Sequence, residues 1–142
     1  MVTIREVTTE DASEITVLSQ QLGYVISAQQ TLQNITALKQ SKCDEVFVAV
    51  NEQKVIGWMG MSYKISLESP PLCEIHGLVV HENFRGEGIG KMLIEKAKQW
   101  TVEKGTDKLR LRCNIKRTEA QLFYKKIGFA EVKQQNVFEM KL

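Results

Sequence analysis

The stretch that decides the fold reads Leu72-Cys73-Glu74-Ile75-His76-Gly77-Leu78-Val79-Val80, then His81-Glu82-Asn83-Phe84-Arg85-Gly86-Glu87-Gly88-Ile89-Gly90, then Lys91-Met92-Leu93-Ile94. Its first part is β-rich, and alternation along a strand puts Glu74, His76, Leu78 and Val80 on one face and Cys73, Ile75, Gly77 and Val79 on the other. Beyond the glycines, Ile89, Met92, Leu93, Ala97 and Trp100 recur at helical spacing up to Gly105, a residue suited to a left-handed cap. Strand, glycine loop and helix thus follow one another directly. Backbone amides in a turn free of Cβ atoms can approach a phosphate closely, and the positive end of the helix behind them favours negative charge. The spacing also says what the loop is not. Arg85 stands five residues before Gly90, where a Walker loop needs glycine, and Met92 takes the place of its magnesium-binding hydroxyl. Gly86-x-Gly88-x-Gly90 departs from the dinucleotide fingerprint, Gly-x-Gly-x-x-Gly, as well.

Working outward, Val46–Val50 and Val55 to about Leu67 flank the turn-like 51–54 and predict an antiparallel hairpin. Pro70-Pro71 predicts a break before the strand that starts at Leu72. Toward the N-terminus, residues 3–7 read as a strand. Thr8-Thr9-Glu10-Asp11 offers caps to a helix carrying Ile15, Leu18 and Leu22, with Gly23 at its end, and a more polar helix spans 27–40. On the other side, Leu109, Leu111 and Cys113 alternate with Lys108, Arg110 and Arg112 as in a strand. A short helix follows with Ala120, Phe123, Tyr124 and Ile127 on one face, and 129–142 read as one or two closing strands. The order is that of a mixed α/β layer.

With 142 residues, 43% hydrophobic and 25% charged, the composition predicts one compact globular domain over 1–142. A net charge of +2 argues for neither a nucleic-acid nor a membrane partner. Cys43, Cys73 and Cys113 match neither a disulfide framework nor a zinc site, and read as free thiols in a reducing compartment. His76 and His81, five apart on an extended strand, face opposite ways, so no metal is expected. Without a signal segment or an apolar run of roughly 20 residues, the chain is expected to be soluble and cytoplasmic.

The run from Gly77 to Ile94 resembles the acetyl-coenzyme A signature of the GNAT-type N-acetyltransferases, Gln/Arg-x-x-Gly-x-Gly/Ala, with Arg85, Gly88 and Gly90 in the matching places. Asn114 after the next strand, and Phe123-Tyr124-Lys125-Lys126-Ile127-Gly128-Phe129 on the following helix, match a second feature of that family. The resemblance implies an α/β domain with a mixed, mostly antiparallel twisted sheet of six or seven strands and about four helices. It implies acetyl-CoA as acyl donor and transfer to a primary amine of a small molecule, aminoglycoside-, polyamine- or amino-acid-like, by direct attack in a ternary complex. It assigns the pantetheine and thioester to backbone at Leu78, Val79 and Val80, and the pyrophosphate to Arg85, Gly86, Glu87, Gly88, Ile89, Gly90 and Lys91. Asn114 would bond the pantetheine arm, and a turn or cap role suits that residue equally.

Acetyl transfer to an amine needs a proton acceptor for the amine and a donor for the departing thiolate. The resemblance names Glu74, eleven positions before Arg85, as base, with His76 sharing the task, and Tyr124 as the acid near the sulfur. A carboxylate in an otherwise apolar strand is costly to bury unless paired or hydrated. Read blandly, Glu74 and His76 are the exposed face of a half-buried strand and Tyr124 is core. The acceptor pocket would draw on Tyr24, Gln29, Gln30, Trp58, Met59 and Tyr63. Lys108, Arg110, Arg112, Lys116, Arg117, Lys125 and Lys126 read as a solvated basic face, part of which would attract the coenzyme's phosphates. Acetylation of a protein N-terminus or lysine, and a non-catalytic acyl-CoA sensor, stand as alternatives. Dimerisation is common in the family, and no interface is assigned.

Overall fold

Five strands, β1 (Val2–Glu6), β2 (Asp44–Asn51), β3 (Lys54–Ser66), β4 (Ser69–Val80) and β5 (Leu109–Leu111), form one sheet in chain order in the computed structural model, which describes residues 1–142. The first four are antiparallel neighbours, and β5 joins β4 in parallel. By backbone contacts the chain divides into two compact units, Met1–Arg112 and Cys113–Leu142.

In the first unit, α1 (Ala12–Gln21) and α2 (Ala28–Gln40) pack on one face of the sheet and α3 (Ile89–Glu103) on the other. The entry to α1 is tied to β1 by Asp11, which accepts two hydrogen bonds from Arg5 at 2.8 and 2.9 Å and one from the Thr8 amide at 2.8 Å. Ser27 caps α2 by accepting from the Gln30 amide. Under α1 and α2 lie Val46, Val48, Val55 and Val79, with Ile15, Leu18 and Ile35 pressed onto them from the helices. That α3 takes the opposite face is plain from Lys96, whose Nζ stands 5.5 Å from the centre of the Phe47 ring. Leu93, Ile94, Ala97 and Trp100 of α3 are buried. No helix is long and apolar enough to cross a membrane.

In the second unit, α4 (Thr118–Lys126) buries Tyr124, whose ring makes edge contacts with Phe123 and Phe129. Residues 129–142 form no strand, so the sheet has five strands and not the six or seven expected. Their apolar residues alternate as a strand's would, yet Val132, Val137 and Phe138 are at least 80% exposed. Propensity for extended structure becomes a strand only where a ladder partner and a buried face exist, and here neither does.

Two further expectations change. Pro70 and Pro71 do not break the chain before β4 but lie inside its first turn of ladder, before β5 begins to pair at Cys73. A proline costs no ladder bond at the start of a strand. The strict alternation expected along β4 also fails, because the register jumps there: Met61 pairs with Ile75 and Gly60 with Gly77, which leaves His76 as the extra residue of a β-bulge. Glu74, Gly77 and Val79 therefore share the face of Ser62, Gly60 and Trp58, while Leu78 and Val80 join Cys73 and Ile75 on the other.

Candidate active site

The bulge marks the place where β4 and β5 part. Parallel pairing covers only Cys73–Ile75 against Leu109–Leu111, and no β5 residue stands beside 77–80. The His81 amide donates to the Ile56 carbonyl at 2.7 Å. Counting back along the antiparallel ladder from that bond, Val79 and Gly77 face β3, while Leu78 and Val80 turn their backbone groups to the open side. In keeping with this, the outward carbonyl of Val80 accepts from Arg85 Nε at 3.3 Å. The split thus offers the amides of Leu78 and Val80 to whatever enters it.

Beyond the split the chain turns through Gly86 and Gly88, both left-handed, with φ +81° and +82°. A Cβ built on either would meet nothing within 4 Å, so the loop is open on its outer side. Gly88 is the residue before α3, and its carbonyl takes the Met92 amide at 3.0 Å. The first amides of α3, at Ile89, Gly90 and Lys91, have no partner within the helix, as at any helix start.

On the face shared with Gly60 and Ser62, Glu74 is only 2% exposed and both its oxygens are taken. Oε1 accepts from Lys64 Nζ at 2.9 Å and Arg112 Nε at 3.3 Å, and Oε2 accepts from Arg110 Nε at 2.7 Å. Burial pushes this carboxyl up, but the Lys64 and Arg110 hydrogen bonds and the charges of Lys64 and Arg112 outweigh it, leaving Glu74 below the usual glutamate range. It is ionised at neutral pH and a poor proton acceptor. Sequence reading had made Arg110 and Arg112 members of a solvated basic face. They keep part of that exposure, with side chains 29% and 54% exposed, and also serve as counter-charges to Glu74, Arg110 from β5 and Arg112 from the residue after it.

His76 stands out on the bulge, exposed, with its ring over Gly60: a Cβ on Gly60 would lie 2.7 Å from His76 Cε1. Partial desolvation of the ring by its neighbours lowers its pKa, Asp44 and Glu74 raise it, and Lys64 lowers it again, with a net shift below the ordinary value. The imidazole is therefore neutral at pH 7. Of the residues expected around an acceptor, Met59 is fully buried on the opposite face, against Leu78, and cannot line a pocket on this one. Trp58 leans over Gly77, and its buried Nε1 has no hydrogen-bond partner. Such an orphan donor costs about 1–3 kcal/mol.

In the second unit, Asn114 Oδ1 accepts from the Lys116 amide at 2.9 Å, and its carbonyl accepts from Arg117 N and Gln121 Nε2. The side chain is thus occupied in a local turn leading to α4.

These features coincide with a known family. The profile of the acetyltransferase (GNAT) family matches residues 10–129. The chain belongs to the GNAT acetyltransferases. An uncharacterised N-acetyltransferase of Methanocaldococcus jannaschii is 32% identical over 90 residues, which are 62% of this chain and 40% of that protein. An aminoglycoside N(6')-acetyltransferase type 1 of Stenotrophomonas maltophilia is 26% identical over 145 residues, covering 99% of this chain and 94% of the relative. Among solved structures, an aminoglycoside N-acetyltransferase in complex with CoA superposes with a TM-score of 0.87 at 21% identity, covering all of this chain and 96% of the other, a likeness of fold.

As a GNAT acetyltransferase the chain takes its acetyl group from acetyl-CoA and delivers it to an amine. The residues present suit that donor. An open left-handed glycine loop at the start of a 15-residue helix fits a pyrophosphate, and unpaired strand amides fit the amide-rich pantetheine arm.

Proposed function

We propose that this GNAT enzyme acetylates a primary amine of a small molecule by direct attack in a ternary complex. The observation that carries the reading is the split beside Leu78 and Val80, which opens next to a neutral, exposed His76. Amides across 86–91 hold the pyrophosphate, and those of Leu78 and Val80 hold the pantetheine and polarise the thioester carbonyl. The amine nitrogen bonds to the carbonyl carbon, its proton passes to His76 Nε2 or Nδ1, and the C–S bond breaks. Coenzyme A leaves as a thiolate and is protonated, a donor's role that the family resemblance gives to Tyr124. Glu74, held ionised by three cations, acts on this chemistry through charge, as a positioning residue.

The Stenotrophomonas relative's name supports a small-molecule acceptor, and aminoglycosides, polyamines and amino acids are the classes to try. The test is release of the coenzyme A thiol from acetyl-CoA with a panel of these amines and of peptides. Turnover with a small amine supports the reading. Thermal stabilisation by acetyl-CoA with no release for any amine makes the chain a sensor instead, and turnover only with peptides makes it a protein acetylase.

Two variants probe the parts. Gly60→Ala puts a methyl where His76 now lies, so the ring must swing away while the buried strand keeps its pairing. We expect kcat to fall about tenfold with little loss of Tm, because a misplaced catalytic group costs rate before it costs stability. Tyr124→Phe is expected to lower kcat about tenfold, a modest effect because a thiolate is a better leaving group than an amine: thiols ionise near pH 8.5 and alkylamines near 10.4. Its edge contacts with Phe123 and Phe129 remain available in the variant, so the circular dichroism spectrum should keep its wild-type shape.

A further inference from the structure

Three cations, Lys64, Arg110 and Arg112, gather on one carboxylate, with side chains 45%, 29% and 54% exposed against 2% for Glu74. The other acid on this face, Asp44, is half-buried and already accepts from the Ser41 and Ser62 hydroxyls. His76 is neutral. What a molecule approaching from solvent meets is therefore the positive rim, with both negative charges set behind it and engaged. We infer that the acetyl acceptor carries a carboxylate close to its amine, as an amino acid does, and that Lys64, Arg110 and Arg112 select it.

The inference rests on the proposal that transfer occurs at the split, since Glu74 lies two residues before the bulge residue His76 and its parallel partner is Arg110. Guanidinium groups match a carboxylate in geometry as well as charge, and Arg110 uses only Nε for Glu74 in this arrangement. A polycation would be repelled by the same rim. The cations have a second consequence. Nearby positive charge disfavours the ammonium form of a bound amine, so the neutral nucleophile is favoured while Glu74 is occupied.

The experiment compares matched acceptors on the full chain with acetyl-CoA: L-amino acids, their carboxamides, and kanamycin as a polycation. We expect kcat/KM at least about tenfold higher for the amino acid than for its amide at low salt, and a smaller ratio at 0.5 M salt, since exposed charges are screened there. In a Lys64→Gln/Arg112→Gln double variant the ratio should collapse toward one. If that variant does not fold, the salt dependence of the wild-type ratio decides. An amide equal to or better than its amino acid, kanamycin preferred over both, or a ratio indifferent to salt would overturn the inference and leave acetyl transfer at the split standing. Absence of turnover with every amine would instead overturn the transfer reading, and this inference with it.

Discussion

Gly88→Val is expected to weaken acetyl-CoA binding about a hundredfold, the equivalent of losing one or two charge-assisted backbone hydrogen bonds at roughly 1.5–3 kcal/mol each. The residue has φ +82°, and no atom lies within 4 Å of a Cβ there, so the valine meets no steric block. What it meets is its own backbone: a left-handed L-residue costs about 1–2 kcal/mol, and more when β-branched. Relaxing φ to negative values turns the peptide planes on either side and moves the 86–91 amides away from the place we propose for the pyrophosphate. The same strain at the far end of α3 provides the control. Gly105 has φ +81° and equally open surroundings, and Gly105→Val should lower Tm comparably. Its effect on acetyl-CoA affinity by titration calorimetry should stay within about threefold, since distant sites act independently. Equal losses of affinity in the two variants would mean that folding stability, not the loop's amides, sets coenzyme binding.

The glycine loop was legible because its requirement is local. A turn that needs positive φ and open amides needs glycine, and Gly86 and Gly88 both take that conformation. The helices and β1 to β4 followed from hydrophobic period for a similar reason. The bulge at His76 was not legible, since it is a property of how β3 and β4 register and nothing in Ile75-His76-Gly77 announces an extra residue. With it went the assignment of faces: Leu78 and Val80 lie opposite Glu74, although the expected companionship of Glu74 and His76 survives because the His76 ring folds over Gly60. The crowd of cations on Glu74 was hidden for another reason. Lys64 comes from β3, Arg110 from β5 and Arg112 from the residue after β5, and only the pairing of those strands with β4 brings them together. The last 14 residues misled because alternation reports fitness for a sheet edge, not the presence of one.

His76→Gln is expected to lower kcat about a hundredfold at pH 7, the lower end of what a positioned general base contributes. The pH profile separates this role from a structural one. With the folded pKa below the ordinary histidine value of about 6.5, the wild-type rate at saturating acceptor should fall on an acid limb centred below that pH, as the imidazole takes up its proton and ceases to accept another. The variant should lack this limb, its residual rate rising tenfold per pH unit until the amine itself is deprotonated. The neighbours give the sign of two further shifts. Glu74 and Asp44 raise the His76 pKa and Lys64 lowers it. Removing the charge in Glu74→Gln should therefore move the limb to lower pH, and Lys64→Gln should move it to higher pH, with opposite displacements from partners in one ion pair. Loss of packing in either variant would change amplitude and Tm but would not displace the limb in opposite directions. A wild-type limb that persists unshifted in His76→Gln would assign the titration to another group and return the proton acceptor's role to water or to the acceptor's own carboxylate.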